Sequence, residues 1–499
     1  MASEVSLNVA AVLDLAASLR PGPCTACQVM GTPLYGSFNK VLIVRFDDGL
    51  KWIFRTPRRD KNGQNLPPRL LKALIGSEVT TLNFLARHST VPVPRVLAYS
   101  VGVPYILMTC ALGQSFSAFM RRMQNASSRD KLHATTKVMK QLGEMCFEMS
   151  KLRFEKIGSI QERDGRFGLG EMHAPAFIFQ DRHSIIMDRG PFSREQDYYK
   201  ALSKAFFGHV HGLSMSHHFF WGPFPELPAY PDPESHRIIL DRWNDFVTVD
   251  DKIESSENRV QYHTAGTLVE DIIPQLCASQ TGMGFPLGHA DLSSSNIFVD
   301  ESCNITCIID WEFASTMPLG QLLTAPGLPN QRRLPSAAEL VAFRTGFEAA
   351  AGNTIVEPRI PWILTDVLWH YMRWVHLDTG DDYRHFEALF SLHPEFAARD
   401  PLLIIDELQG SVDIQEARQY LKAREREPDE IKRDEDWYFG VTDEGPRQRR
   451  IAEILTKRFW LRRQILGPRF WMETLREDFR DPEESSGRSN SDSRMPDGA

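Results

Sequence analysis

The sequence predicts an α+β fold in two lobes, a small β-rich amino-terminal one and a larger one that is mainly helical. Three observations carry this expectation. Residues 36–56 alternate apolar and polar side chains on either side of an Asp47-Asp48-Gly49 turn, the period-two pattern of antiparallel strands. Leu71, Leu74, Ile75, Val79, Leu82 and Leu85 then recur at helical spacing, so a helix should pack on that sheet. Further along, Val138, Leu142, Met145, Met149 and Leu152 step by four, three, four and three, which makes 131–153 an amphipathic helix.

Taken in order, Val41, Ile43 and Arg45 lie on the first strand of a hairpin, and Trp52, Ile53 and Phe54 on its return. Pro57–Pro68 is rich in Pro, Gly, Asn and charge and reads as a loop. Val93–Ser100 and Tyr105–Met108 follow as two more strands, and the β-rich part ends at Gly113, after Cys110-Ala111-Leu112. The lobes are therefore expected at 1–112 and 113–480. The larger lobe is expected to be helical in most of its segments, apart from hairpins around Asp164-Gly165 and over 297–310. Trp362, Trp369, Arg373 and Leu377 keep helical spacing and read as core, with the option of lining a cleft. Residues 418–463 mix both charge signs, as a solvated helical face does. Between Asp481 and Ala499 only Met495 and Ala499 are hydrophobic, so 481–499 is expected to be a disordered tail.

Composition narrows the function. The chain has 499 residues, 42% hydrophobic and 24% charged, as ordinary soluble globular proteins do. Its 57 Lys and Arg against 65 Asp and Glu give a net charge of −8, so no positive field invites nucleic acid or an acidic membrane. No run approaches the roughly 20 apolar residues of a membrane span, and the first residues carry Glu4 and Asp14 in place of a basic start and apolar core. Seven cysteines, sparse and odd in number, suit a reducing, cytoplasmic compartment.

The chemistry is concentrated in His289-Ala290-Asp291-Leu292-Ser293-Ser294-Ser295-Asn296 and, after a short hairpin, Asp310-Trp311-Glu312. If 297–300 runs out as a strand, 301–304 turns and 305–310 returns, Asn296 and Asp310 finish side by side at one end. Hard oxygen donors that leave room for water and phosphate suit Mg²⁺. Asp291, in the loop just before, would face the metal-bound phosphate. Phosphoryl transfer asks for these parts: a metal, a carboxylate for the attacking hydroxyl, and a cation on the other phosphates. Asp291 fits the carboxylate, and Arg55, held by Glu78 of the following helix, fits the cation. Glu78 could equally serve as an acid in the first turn of its helix. Gly36 and Ser37, within Tyr35-Gly36-Ser37-Phe38-Asn39, could cover the phosphates with backbone amides.

His-x-Asp-x-x-x-x-Asn followed by Ile-Asp-Trp-Glu resembles the aminoglycoside phosphotransferase and choline kinase branch of the protein-kinase-like superfamily, especially its fungal members, over most of 35–325. The resemblance implies a bilobal protein-kinase-like fold with ATP between the lobes, Asp291 as catalytic base, His289 bracing its loop, and Asn296 and Asp310 on magnesium. It also implies adenine held by the connecting strand near Met108 to Ala111, Cys110 included. Val91-Pro92-Val93-Pro94 echoes the segment that follows the small lobe's helix in relatives. Ala290, Ser294 and Phe298 depart from the residues usual there, and Arg55 stands where many kinases have Lys.

The expected function is ATP- and Mg²⁺-dependent transfer of the γ-phosphoryl group to a hydroxyl of a small molecule. The alternative is a catalytically weak, kinase-like nucleotide-binding or interaction protein. Trp311-Glu312 in place of Phe-Gly argues against a protein kinase. Two further clusters have residue types that bind metals. Cys24-x-x-Cys27 with Cys303-x-x-x-Cys307 lacks support as a zinc site because Cys307 belongs to a strand of buried composition, and His209, His211, His217 and His218 lack an acid at ligand spacing.

Overall fold

The structure, a computed structural model, describes residues 8–22, 27–36, 38–58, 66–213, 232–237, 256–277, 284–328, 333–352, 362–377, 382–390, 407–425 and 427. The expected tail at 481–499 and most of 418–463 lie outside the described residues. The chain divides into two compact units, one of 1–202 with 273–369 and the other of 203–272 with 370–499.

The first unit begins with α1 (Val9–Leu19), β1 (Cys27–Val29), β2 (Leu34–Tyr35), β3 (Asn39–Phe46), β4 (Lys51–Pro57), α2 (Pro68–His88), β5 (Val96–Ser100) and β6 (Tyr105–Thr109). The strands form one antiparallel sheet in the order β1-β3-β4-β6-β5, with β2 also on β3. Because side chains alternate along a strand, β4 serves two layers. Trp52 and Phe54 join Leu42, Val44 and Phe46 of β3 against Val12 and Ala16 of α1. Ile53 points the other way and packs with Ile106 and Met108 against Ile75 and Val79 of α2. Arg55 is two residues beyond Ile53 and shares that α2 side. Helix α1 was not among the expected elements; Asn8 caps it by accepting from the Ala11 N–H at 3.2 Å.

After Gly113 the unit continues with β7 (Gln114–Ser115), α3 (Phe116–Arg122), α4 (Ser128–Ser150), β8 (Arg153–Phe154), the hairpin β9 (Ser159–Arg163) and β10 (Arg166–Gly170), α5 (Pro175–Ile178) and the start of α6 (Glu195–Gly212), whose residues from Ser203 belong to the second unit. It resumes with β11 (Phe285–Gly288), β12 (Ile297–Val299), β13 (Ile305–Ile308) and β14 (Ser315–Thr316). Gly113 has φ +81° and its Cα faces the Val299 carbonyl with no room for a side chain, so the link out of the small lobe requires glycine. The sequence reading expected two hairpins here. The structure adds the short strands β8, β11 and β14, paired in one small sheet, while β7 extends the hairpin of β12 and β13. Runs of two to four residues are too short to show period-two patterning.

The core of this part is built on α4, whose Val138, Leu142 and Met149 are buried with Ile297, Val299, Ile308 and Trp311 of the hairpin region. The helix Ala337–Ala351 crosses α4 at Gly143 and Gly346, where backbone meets backbone. In the second unit, Val260 of the helix Ser256–Glu270 packs on Ile414 and Leu421 of the helix Val412–Lys422. There too, Trp374 stacks on Tyr262 and meets the tilted rings of Phe206 and Phe386. The core expectation agrees with burial of Trp369 and Arg373 in the helix Trp362–His376 and of Leu377 just past it, while Trp362 is half-buried.

The α4 crossing gives a direct test. Gly346→Ala would add a Cβ onto the Lys140 carbonyl, and Gly143→Ala onto that of Phe343. Alanine normally favours a helix interior by up to about 1 kcal/mol over glycine, but overpacking costs about 1–3 kcal/mol. Both variants should lower the unfolding midpoint in denaturant; a rise in either would show that the helices do not approach this closely.

Candidate active site

Arg55 is the centre of the site. Its β4 position aims it at α2, where the Glu78 carboxylate accepts directly from its Nη2. The structure corrects the first-turn alternative for Glu78: α2 begins at Pro68, so Glu78 lies mid-helix and is buried, with a side chain 2% exposed. Burial alone would lower the guanidinium's pKa, yet the carboxylates of Glu78, Glu312 and Asp310 outweigh it and raise it. Burial raises the pKa of Glu78 in turn, and Arg55 opposes that rise. The second nitrogen, Nη1, lies 3.6 Å from Asp310 Oδ1.

The loop from 289 is braced from within. The Asp291 N–H donates to His289 Nδ1 at 2.9 Å, while His289 Nε2 lies 3.0 Å from the Ile309 carbonyl. Since Nδ1 must accept, the proton belongs on Nε2, which can then donate to Ile309. Burial also lowers the imidazole's pKa and keeps it neutral. The ring edge packs on Trp311 at 4.5 Å between centroids. Asn296, buried, donates from Nδ2 to the Asp291 carbonyl at 3.0 Å and to Asp291 Oδ2 at 3.1 Å. With its nitrogen so engaged, the amide oxygen of Asn296 is turned away from Asp291. Ser294, one of the departures from relatives, is buried, and its carbonyl accepts from Ser117 N–H at 2.9 Å.

The hairpin brings the remaining groups to this loop. Ile297 pairs with Ile308, and the Ile309 N–H donates to the Asn296 carbonyl at 2.9 Å, so Asn296 and Asp310 sit at one end of the hairpin. Asp310 has φ +69°, a left-handed conformation that costs a residue other than glycine about 1–3 kcal/mol and is concentrated at functional sites. The kink takes Asp310 out of the strand and toward Arg55, and its carboxylate is 39% exposed. Glu312, 4% exposed, accepts from Asn39 Nδ2 at 2.7 Å. Burial pushes its carboxyl up to about 8, against the pull of Arg55 and Asn39. The Pro92 carbonyl, in the Val-Pro-Val-Pro segment, accepts from Ile308 N–H at 2.8 Å and so anchors the hairpin.

The structure thus gathers Arg55, Glu78, His289, Asp291, Asn296 and Asp310. Met108 is placed with its side chain in the layer between the sheet and α2. Cys110 follows β6, and its N–H is taken by the Lys51 carbonyl at 3.3 Å. Gly36 closes a turn by donating to Asn39 O at 2.8 Å; a Cβ there would fit, so nothing in the fold demands glycine. Ser37 lies outside the described residues. Glu312 and Asn39 each stand within a motif of the sequence that gives them no individual role; their bond joins residues 273 positions apart, which no local pattern reports.

Among the described residues no three His, Cys, Asp or Glu side chains gather as a metal site. Cys303 and Cys307 form no disulfide, the Cys27 thiol donates to the Leu13 carbonyl at 3.4 Å, and His211 pairs with His263 at 3.0 Å. Cys24, His217 and His218 lie outside the described residues.

No family model matches the sequence. Two relatives, subtelomeric hrmA-associated cluster proteins of two Aspergillus fumigatus strains, are 30% and 31% identical over 173 residues. The match covers 31% of this chain and 31% of each relative, so it spans about a third of their length. Among solved structures, a Plasmodium vivax ethanolamine kinase is similar at 12% identity over 77% of this chain and 86% of its own, with a TM-score of 0.41. A macrolide 2'-phosphotransferase from Brachybacterium faecium is similar at 16% identity over 84% and 99%, with a TM-score of 0.35.

Two measurements test the site's electrostatics. Glu78→Ala should destabilise the protein by about 3 kcal/mol, the low end for breaking a buried pair, because Asp310 still faces Arg55. Adding Arg55→Met should cost less than the sum of the single changes, since the two act as one unit; strict additivity would separate them.

His289 provides the second test. Its folded pKa is lowered from 6.5, so the unfolded chain binds more protons below that value. The stabilisation is full above about 6.5 and should fade as pH drops, by up to about 1.4 kcal/mol per pH unit. His289→Asn cannot titrate and should flatten this part of the stability profile. Identical profiles between pH 7 and 5 would remove His289 from the account.

Proposed function

We propose that the protein is an ATP- and magnesium-dependent phosphotransferase acting on a hydroxyl of a small molecule, a fungal-type member of the aminoglycoside phosphotransferase and choline kinase group. The observation that carries this reading is the convergence of a buried Arg55–Glu78 ion pair, the kinked Asp310 and the Asp291–Asn296 pair on one end of a hairpin. Electrostatic positioning of this kind is the chief thing phosphoryl transfer asks of a protein.

The donor set fits the implied cofactors. Asn296 offers an amide oxygen and Asp310 a solvent-accessible carboxylate, the hard, sparse protein donors with which magnesium is commonly held beside substrate phosphates. When bound, magnesium supplies neutralisation of charge on the transferred group. Arg55, kept charged and rigid by Glu78, would hold the outer phosphates, and its planar fork can bind two oxygens where lysine is a point charge. Asp291, oriented through Asn296 Nδ2, would accept the proton of the attacking hydroxyl. His289 acts on the loop backbone alone. Adenine is assigned to the segment from Met108 to Ala111, Cys110 included, and Gly36 and Ser37 to the phosphates.

Among the described residues no helix is long and apolar enough to cross a membrane. We place the reaction in the cytoplasm, in keeping with the free thiols, with neither nucleic acid nor membrane as partner.

The decisive experiment combines nucleotide binding with turnover against a library of hydroxyl compounds. Asp291→Asn should keep Mg·ATP binding and lose more than about 10²-fold in turnover, the usual scale for a general base. Asp310→Ala should abolish the magnesium-dependent part of ATP affinity, and Asn296→Ala should weaken it less. Near-normal turnover in Asp291→Asn, or ATP affinity indifferent to magnesium, would defeat this assignment; binding with no turnover in the wild type would favour a catalytically weak nucleotide-binding protein.

A further inference from the structure

Beside the site, three phenylalanines that the reaction does not use meet at close range. Phe38 stacks on Phe179 with centroids 4.7 Å apart and planes 24° from parallel. Phe313 meets both edge-on, at 5.4 Å from Phe38 and 5.0 Å from Phe179. The rings come from three distant segments. Phe38 directly precedes Asn39 and β3, Phe313 directly follows Glu312, and Phe179 directly follows α5. The Asn39–Glu312 hydrogen bond runs alongside, so two independent contacts tie the start of β3 to the segment that carries Asp310.

Phe179 is held in place at a conformational cost. The next two residues, Gln180 and Asp181, have φ +54° and +62°, left-handed values that residues other than glycine seldom adopt in succession. The turn they make is closed by the Arg182 N–H on the Phe179 carbonyl at 3.1 Å. Strain of this sort persists where surrounding contacts over-determine the backbone. Phe38 and Phe179 are only half-buried, so the stack is not explained as filling of a deep core.

We propose that Phe38, Phe179 and Phe313 are positioning residues, an aromatic staple that fastens the start of β3 to the Asp310 segment and thereby sets how long a nucleotide is retained. The proposal rests on the phosphotransferase reading. Arg55 lies on β4, which pairs with β3 through Val41, and Asp310 lies three residues before Phe313. The staple therefore spans the two strands of chain whose side chains face each other across the site. Aromatic pairs contribute beyond their buried area, and opening both contacts of one ring corresponds to a change in release rate of roughly five- to tenfold.

The test is stopped-flow release of N-methylanthraniloyl-ATP, with magnesium, from the purified full-length chain. Phe179→Ala and Phe38→Ala should each speed release about five- to tenfold while changing association less than about twofold. Phe179→Tyr keeps the ring and should stay near the wild type. The double alanine variant should fall short of the product of the single effects, because the rings act together. If Phe179→Ala does not fold, Phe179→Leu, which keeps apolar volume without ring faces, should still release faster than Phe179→Tyr. Wild-type release from folded Phe38→Ala and Phe179→Ala, or equal rates for the Leu and Tyr variants, would overturn the staple and leave the phosphotransferase reading standing. Failure of the wild type to bind the labelled nucleotide would overturn that reading and the staple with it.

Discussion

The buried guanidinium of Arg55 is the constraint on which the site depends. A charge cannot be taken out of water without partners, and here Glu78, Asp310 and Glu312 supply them from α2, from the end of the hairpin and from the residue just past it. Removing all of these acids would strand the charge. The sheet that carries β4 is thus joined to the β12–β13 hairpin segment by electrostatics as well as by packing, and β4 must keep its register on β3 and β6 for Arg55 to face these acids. Burial pushes the Glu312 carboxyl up to about 8, against the pull of Arg55 and of the Asn39 amide.

The second constraint is backbone geometry at Asp310. A strand continuing past Ile308 with ordinary dihedrals would alternate its side chains between faces. The left-handed kink breaks that alternation and sends the carboxylate toward Arg55 instead. The hairpin can sustain the strain because it is anchored on several sides: the Ile309 N–H on Asn296, the Ile309 carbonyl on His289, the Ile308 N–H on Pro92, and the Trp311 indole on the Ile308 carbonyl at 2.9 Å. Every one of these bonds uses a main-chain group of 308 or 309, which is why a run of few residues can place so much chemistry.

Where the sequence succeeded, local rules were enough. The alternation of β3 and β4, the stripe of α2 and that of α4 each repeat over enough residues for a period to show, and the spacing from His289 to Asp310 is itself the geometry of a short hairpin. Where it failed, the missing information was long-range or the segment too short. A first-turn role for Glu78 stayed open beside its pairing with Arg55 because the start of α2 at Pro68 hides in a polar loop, and β8, β11 and β14 are too brief to have a pattern. The two glycines at the α4 crossing resemble helix defects in the sequence and become necessary only beside a second helix.

Composition, periodicity and motif spacing by themselves determined that the chain is α+β, that a β-rich lobe precedes a helical one, and that 289–312 carries oxygen donors and a carboxylate in one short hairpin. Those features are local, and local dihedral preferences with side-chain periodicity suffice to define them. Tertiary structure alone decided that Asn39 reaches Glu312, that Asp310 turns against its strand, and that Phe38, Phe179 and Phe313 come together. Each of these depends on burial, where a charge, an amide or a ring gains a partner only after distant segments have excluded water between them, and no spacing along the chain encodes that meeting.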